Sequence, residues 1–141
     1  MSTAAIARIV LATEGEYRVE HFYEQASLAW RGGSVDIGEH YGDPICAVIN
    51  PRAGWCATGG EGLVICHFEG GLPKGPTRVS PKRIKMFELW RRASPPPMKA
   101  YWSVEGAWLY QDDLIRVVVE PATEHAGLYE VNVNTLSWRK I

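Results

Sequence analysis

From Tyr129 to Val133 every second side chain is apolar, with Glu130 and Asn132 between them. That period of two belongs to a half-buried strand and not to a helix. Similar short runs recur through the closing part of the chain, at 100–104, 107–110, 114–120, 128–134 and 136–138. Gly106, the Asp112 and Asp113 pair, and the stretch 121–127 separate them as turns. A meander of antiparallel strands follows from this pattern.

The first half gives the same signal less evenly. Residues 6–11 read as a strand, 13–16 as a turn, and 45–50, 55–58 and 63–68 as three short strands. Pro51 to Gly54 and Gly59 to Gly62 supply turn chemistry between those three, since proline presets one φ angle and glycine accepts positive φ without steric penalty. The stretch 17–30 fits two templates. Tyr17, Val19, His21 and Tyr23 alternate as in a strand, while Val19, Phe22, Tyr23, Ala26 and Trp30 share one helical face. Gly15 stands where a helix would have to begin, so the strand reading is preferred as far as Tyr23, with a turn over 31–34.

One helix is expected, over 81–92. Ser80 is placed to cap it, Pro81 suits its first position, Ile84, Phe87 and Trp90 fall on one stripe, and Arg91 and Arg92 suit the negative end of its dipole. Lys82, Arg83 and Lys85 crowd the positive end, which keeps a strand open there. The expected fold is therefore mainly β: an antiparallel meander forming a bent sheet or a two-layer sandwich, with one short helix, in a single domain over 1–141.

Composition narrows the class. The chain has 141 residues, 46% of them hydrophobic and 22% charged, which suffices for a true core and makes disorder the wrong default. The early apolar run is too short for a signal peptide, and no span approaches the ~20 apolar residues of a membrane helix, so a cytosolic protein is expected. Charge is unevenly spread. Up to residue 70 nine acids face four arginines, a net of −5, whereas eight cations over 74–99 face Glu88 alone, a net of +7. The basic stretch, with Phe87 and Trp90 as stacking partners, admits a nucleic-acid reading. An overall isoelectric point near 6.4 argues against it, because dedicated nucleic-acid domains lie above about 9.

Candidate chemistry is sparse. Cys46, Cys56 and Cys66 are evenly spaced, but no C-x-x-C pair marks a zinc site and His40 or His67 would have to complete one; on neighbouring strands of a meander the three would simply lie at similar heights. An odd cysteine count suits a reducing compartment. No metal and no cofactor is expected. Gly59, Gly60 and Gly62 lack the lysine and hydroxyl of a phosphate loop and read as a hairpin turn. A small-molecule or minor hydrolytic site would have to draw on His40, Cys66 or the Asp112 and Asp113 pair. Six tryptophans at this length are mostly core material, and an exposed one would mark a binding surface. Trp90 with Arg91 and Arg92 is the first candidate for that role.

The segment Trp-Cys-Ala-Thr-Gly-Gly-Glu-Gly-Leu-Val-Ile over 55–65 and the ending Gly-Leu-Tyr-Glu-Val-Asn-Val-Asn-Thr-Leu-Ser-Trp over 127–138 resemble the small bacterial immunity proteins encoded beside secreted toxins. The similarity spans 43–141 and includes no motif that assigns roles residue by residue. It implies a non-enzymatic protein of the bacterial cytoplasm that occludes a toxin's active site with acidic and aromatic side chains. Glu14, Glu16, Glu20, Glu24, Asp36, Glu39 and Asp43 would then steer a basic partner, with Trp90, Arg91 and Arg92 as contacts.

Overall fold

A computed structural model describes residues 8–90, 102–121 and 124–141. Among the described residues, twelve strands form three antiparallel sheets of four, and each sheet is a meander of consecutive strands. The first sheet is β1 (Ile9–Glu14), β2 (Tyr17–Phe22), β3 (Gln25–Trp30) and β4 (Gly33–Glu39). The second is β5 (Cys46–Asn50), β6 (Trp55–Gly60), β7 (Gly62–Phe68) and β8 (Ile84–Leu89). The third is β9 (Val104–Gln111), β10 (Leu114–Val119), β11 (Gly127–Asn132) and β12 (Trp138–Lys140). Among the described residues no helix is long and apolar enough to cross a membrane.

The second sheet is the middle layer, because its strands send alternate side chains into two separate cores. Ile49, Cys56, Cys66 and Phe68 pack with Val19, Leu28, Trp30 and Ile37 of the first sheet. Their sequence neighbours Val48, Trp55, Ala57, Leu63 and Ile65 pack with Ile115, Val117 and Val131 of the third. The mainly β, sandwich-like expectation holds, with two sandwiches sharing one sheet. All of β6 is buried, and apart from Trp55 its side chains are small, with Thr58 the polar one, bonded to His40.

The expected helix over 81–92 is corrected. Ser80 does cap, its Oγ accepting from the Lys82 N–H at 3.3 Å, and Pro81 does come first, but the helical part is a single 3-10 turn, Pro81–Arg83. The chain then continues as β8, paired in register with β7 from Phe68↔Ile84 to Leu63↔Leu89. Ladder bonds along an open sheet edge, with Ile84 and Leu89 packed on opposite cores, outweigh a helix whose positive end would carry three cations. Arg91 and Arg92 lie outside the described residues, as does the start of the expected strand over 6–11.

Two strands were hidden by the ambiguity of 17–30. β2 ends at Phe22, Tyr23 takes a positive φ of 51° in a two-residue turn, and β3 and β4 follow as a second hairpin about Arg31 and Gly32. Gly32 has φ 138°, and a Cβ there would sit 2.3 Å from the carbonyl oxygen of Gly75. The loop that carries Gly75 is tied over the end of the first core, where Tyr17 Oη donates to the Pro73 carbonyl at 2.9 Å and Trp30 Nε1 donates to that of Gly75 at 2.8 Å. In the third sheet Gly106 lies inside β9 and makes no turn.

Two substitutions test this layering. Ile65→Ala, in the core between the second and third sheets, should cost about 2 to 5 kcal/mol in chemical denaturation. Gly32→Ala should lower the unfolding midpoint by a comparable amount, because the new methyl meets backbone that cannot swing aside. A midpoint unchanged in either variant would contradict the packing described.

Candidate functional site

Among the described residues, the side chains that sequence reading nominated for chemistry do not gather into one site. Cys56 and Cys66 are directly opposed on β6 and β7, and both are buried in the first core. Cys46 is opposite Gly59 and borders the other core, so the three thiols are not at one height as expected. The sulfur contact with Cys66, followed by burial, pushes the Cys56 thiol up, and burial pushes Cys46 up to about 12. A nucleophilic thiol needs the opposite shift.

His40 is buried, with its Nε2 2.8 Å from Thr58 Oγ1. His67 places Nε2 2.7 Å from the Val133 carbonyl oxygen, where it donates and joins the second and third sheets. Asp112 faces Arg52 at 3.8 Å with both side chains exposed, while Asp113 accepts from Asn132 Nδ2 at 3.4 Å. No group of three or more metal-ligating side chains occurs among the described residues.

Trp90 is half-buried and at φ 60°. It stacks on Trp102 with ring centroids 4.5 Å apart, and Trp102 stacks in turn on His125 at 3.9 Å. Tyr129 and Trp138 close the cluster edge-on. The rings fill one another's space, so Trp90 packs a small satellite core instead of standing out as an isolated anchor.

The nominated acids divide by strand direction. Glu14 ends β1 and Glu16 lies in the turn to β2, and Glu20 is paired with Arg18 at 2.6 Å on the outer face of the first sheet. Glu24, Glu39 and Asp43 gather at the opposite end, where Glu24 accepts from the Gly42 N–H at 2.6 Å. Asp36, which accepts from Ser27 Oγ at 3.3 Å, lines a hollow of about 320 Å³ with Glu39, Met86 and Glu88. Four of the seven acids thus border β4, joined by the one acid of the basic stretch.

The most distinctive surface was not anticipated. On the outer face of the third sheet, register places Trp108 beside Arg116, Arg116 beside Glu130 and Glu130 beside Arg139, one residue from each of four strands. Arg116 Nη2 lies 3.5 Å from Glu130 Oε1, and Arg139 Nε donates to Glu130 Oε2 at 3.1 Å. The Arg116 guanidinium also lies 3.7 Å over the Tyr110 ring. Trp108 and Tyr110 stay 45% and 46% exposed, although rings this large are normally covered. Alternation did flag 107–110 as strand. What it could not give was register, which alone brings residues 108, 116, 130 and 139 into one row.

Electrostatics make one prediction. Cys46, Cys56, Tyr17 and Tyr129 all have raised pKa values, chiefly from burial except at Cys56, so the fold favours their neutral forms. Stability from such groups is complete below the unfolded thiol value near 9 and is lost as pH climbs toward the folded values. The denaturant midpoint should be flat from about pH 7 to about pH 8.5 and then fall, by at most about 1.4 kcal/mol per pH unit for each thiol. The combined Cys46→Ala and Cys56→Ala variant should show a shallower fall. A wild-type midpoint constant to about pH 11 would refute this.

Compared with known proteins, the chain matches no family model, no curated protein and no solved structure at a significant level.

Proposed function

We propose that this chain is a non-enzymatic binding protein that docks on another protein through the outer face of its third sheet, and that it serves in the bacterial cytoplasm as an immunity protein occluding a toxin's active site. The observation that carries the reading is the row itself: exposed Trp108 and Tyr110 beside Arg116, Glu130 and Arg139. Tryptophan, tyrosine and arginine dominate the energetics of protein interfaces, where large rigid rings bury area at little entropic cost and guanidinium groups pair with carboxylates. The row is also partly organised before any partner arrives, since Glu130 holds two arginines across three strands. Little ordering is left to be done on binding.

The toxin reading adds two supports. The resemblance over 55–65 and 127–138 implies it, and the acids bordering β4 supply a field that would speed the approach of a basic partner without adding much affinity. Burial of the thiols and dispersal of the histidines and aspartates favour this reading over a hydrolytic one.

The test begins with a pull-down from the native host by the full chain at low salt. A toxin-like protein should be recovered, and its catalytic activity should fall when the chain is added. Trp108→Ala and Tyr110→Ala should each weaken that complex by about 2 kcal/mol, roughly thirtyfold, with unchanged folding by circular dichroism. Failure to recover such a partner, or a complex indifferent to both substitutions, would overturn the reading.

A further inference from the structure

A groove of about 440 Å³ lies where β1, β5 and β9 approach one another, each being the first and outermost strand of its sheet. Glu14 borders it on one side, Ala47 to Arg52 form its floor, and Ala107, Trp108 and Leu109 form the other wall. Ladder parity shows which backbone groups face it. Phe68 N–H donates to the Gly54 carbonyl at 2.9 Å in the β6–β7 register, so Cys56 and Thr58 bond toward β7 while Trp55, Ala57 and Gly59 turn toward β5. Their partners are Asn50, Val48 and Cys46. Ala47 and Ile49 therefore direct N–H and C=O away from β6, into the groove.

β9 alternates in the same way. Val133 N–H donates to the Asp113 carbonyl at 2.9 Å, continuing the β10–β11 register, so Arg116 and Val118 bond toward β9 and engage Trp108 and Gly106. Among the described residues, the amides of Ala107 and Leu109 are left at the free edge. Between the register shifts at its two ends, residues 106–109 run in regular pairing, a straight stretch of roughly 13 Å. Natural edge strands are usually blunted by lysine or proline. This one instead exposes Trp108, Leu109 and Tyr110 in succession, at 45%, 42% and 46%.

Charge narrows the occupant. Arg52 faces Asp112, whereas Glu14 has no ion pair among the described residues, so the unbalanced charge on the rim is negative. We propose that the groove receives an extended segment of the partner protein as an added strand on β9, apolar at alternate positions and carrying a lysine or arginine opposite Glu14. This rests on the protein-docking reading above and specifies its mode. Main-chain bonds to Ala107 and Leu109 supply the ladder, and Trp108 covers it.

The probe is a phage-displayed pool of random twelve-residue peptides selected on the full chain. Selected peptides should alternate apolar residues and contain a lysine or arginine, and they should slow amide hydrogen exchange at Ala47, Ile49, Ala107 and Leu109. Ala107→Pro removes a donor the native ladder does not use and is tolerated at an edge; it should cut peptide affinity at least tenfold, as should the surface change Glu14→Lys. An empty selection, or peptides that bind without protecting those amides, overturns the proposal. So does concentration-dependent dimerisation of the chain alone with the same protection, which assigns the groove to a second copy. Tyr110→Ala lies outside the groove and separates the two claims. A partner complex weakened by Tyr110→Ala and indifferent to Ala107→Pro retains docking and rejects strand addition, while indifference to both rejects docking as well.

Discussion

A sheet with no polar face needs a cover on both sides, and β6 and β7 form such a sheet. Cys56 and Cys66 look toward one core while Trp55, Ala57, Leu63 and Ile65 look toward the other. Covering only one face would leave several fully apolar side chains in water, at about 25 cal/mol for every Å² exposed. The first and third sheets are thus obligatory lids, and each must present one apolar face inward. Their outward faces carry no such demand, which leaves them compositional freedom.

The two lids use it differently. The first sheet turns outward a polar array in which Arg18 answers Glu20, while Glu24, Asp36, Glu39 and Asp43 border β4 as an acidic group. The third sheet turns outward a row that is answered only in part. Glu130 neutralises one of two arginines, and Trp108 and Tyr110 are left uncovered. Partial satisfaction of this kind is costly for a face that only meets water, since exposed apolar rings contribute nothing there. It is consistent with a face that another macromolecule completes.

Much of the architecture was legible because alternation is a local signal. Residues 128–134 and 114–120 declared their strands through period two, and the Gly and Pro clusters declared their turns. The stretch 17–30 resisted because its apolar residues satisfy helical and extended periods together, and pairing of β2 with β1 and of β3 with β4 decides between them. The stretch 81–92 misled for a related reason. Its cap and its first proline are real, but they serve a single turn, and the ladder to β7 takes the rest. The row through Trp108, Arg116, Glu130 and Arg139 was invisible since it depends on registers between distant strands, which no single segment encodes. The acids bordering β4 were visible individually, and their separation from Glu14 and Glu16 followed only from strand direction.

The most direct test of the central claim is the indole N–H spectrum of the chain titrated with its recovered partner. Six tryptophans give six resolvable probes, and their burial differs sharply, from Trp55 at 1% to Trp108 at 45%. The account requires the Trp108 indole signal to shift or broaden on binding while those of Trp55 and Trp30 stay in place. A Trp108 signal indifferent to saturating partner, with changes at His40 or the thiols instead, would contradict it.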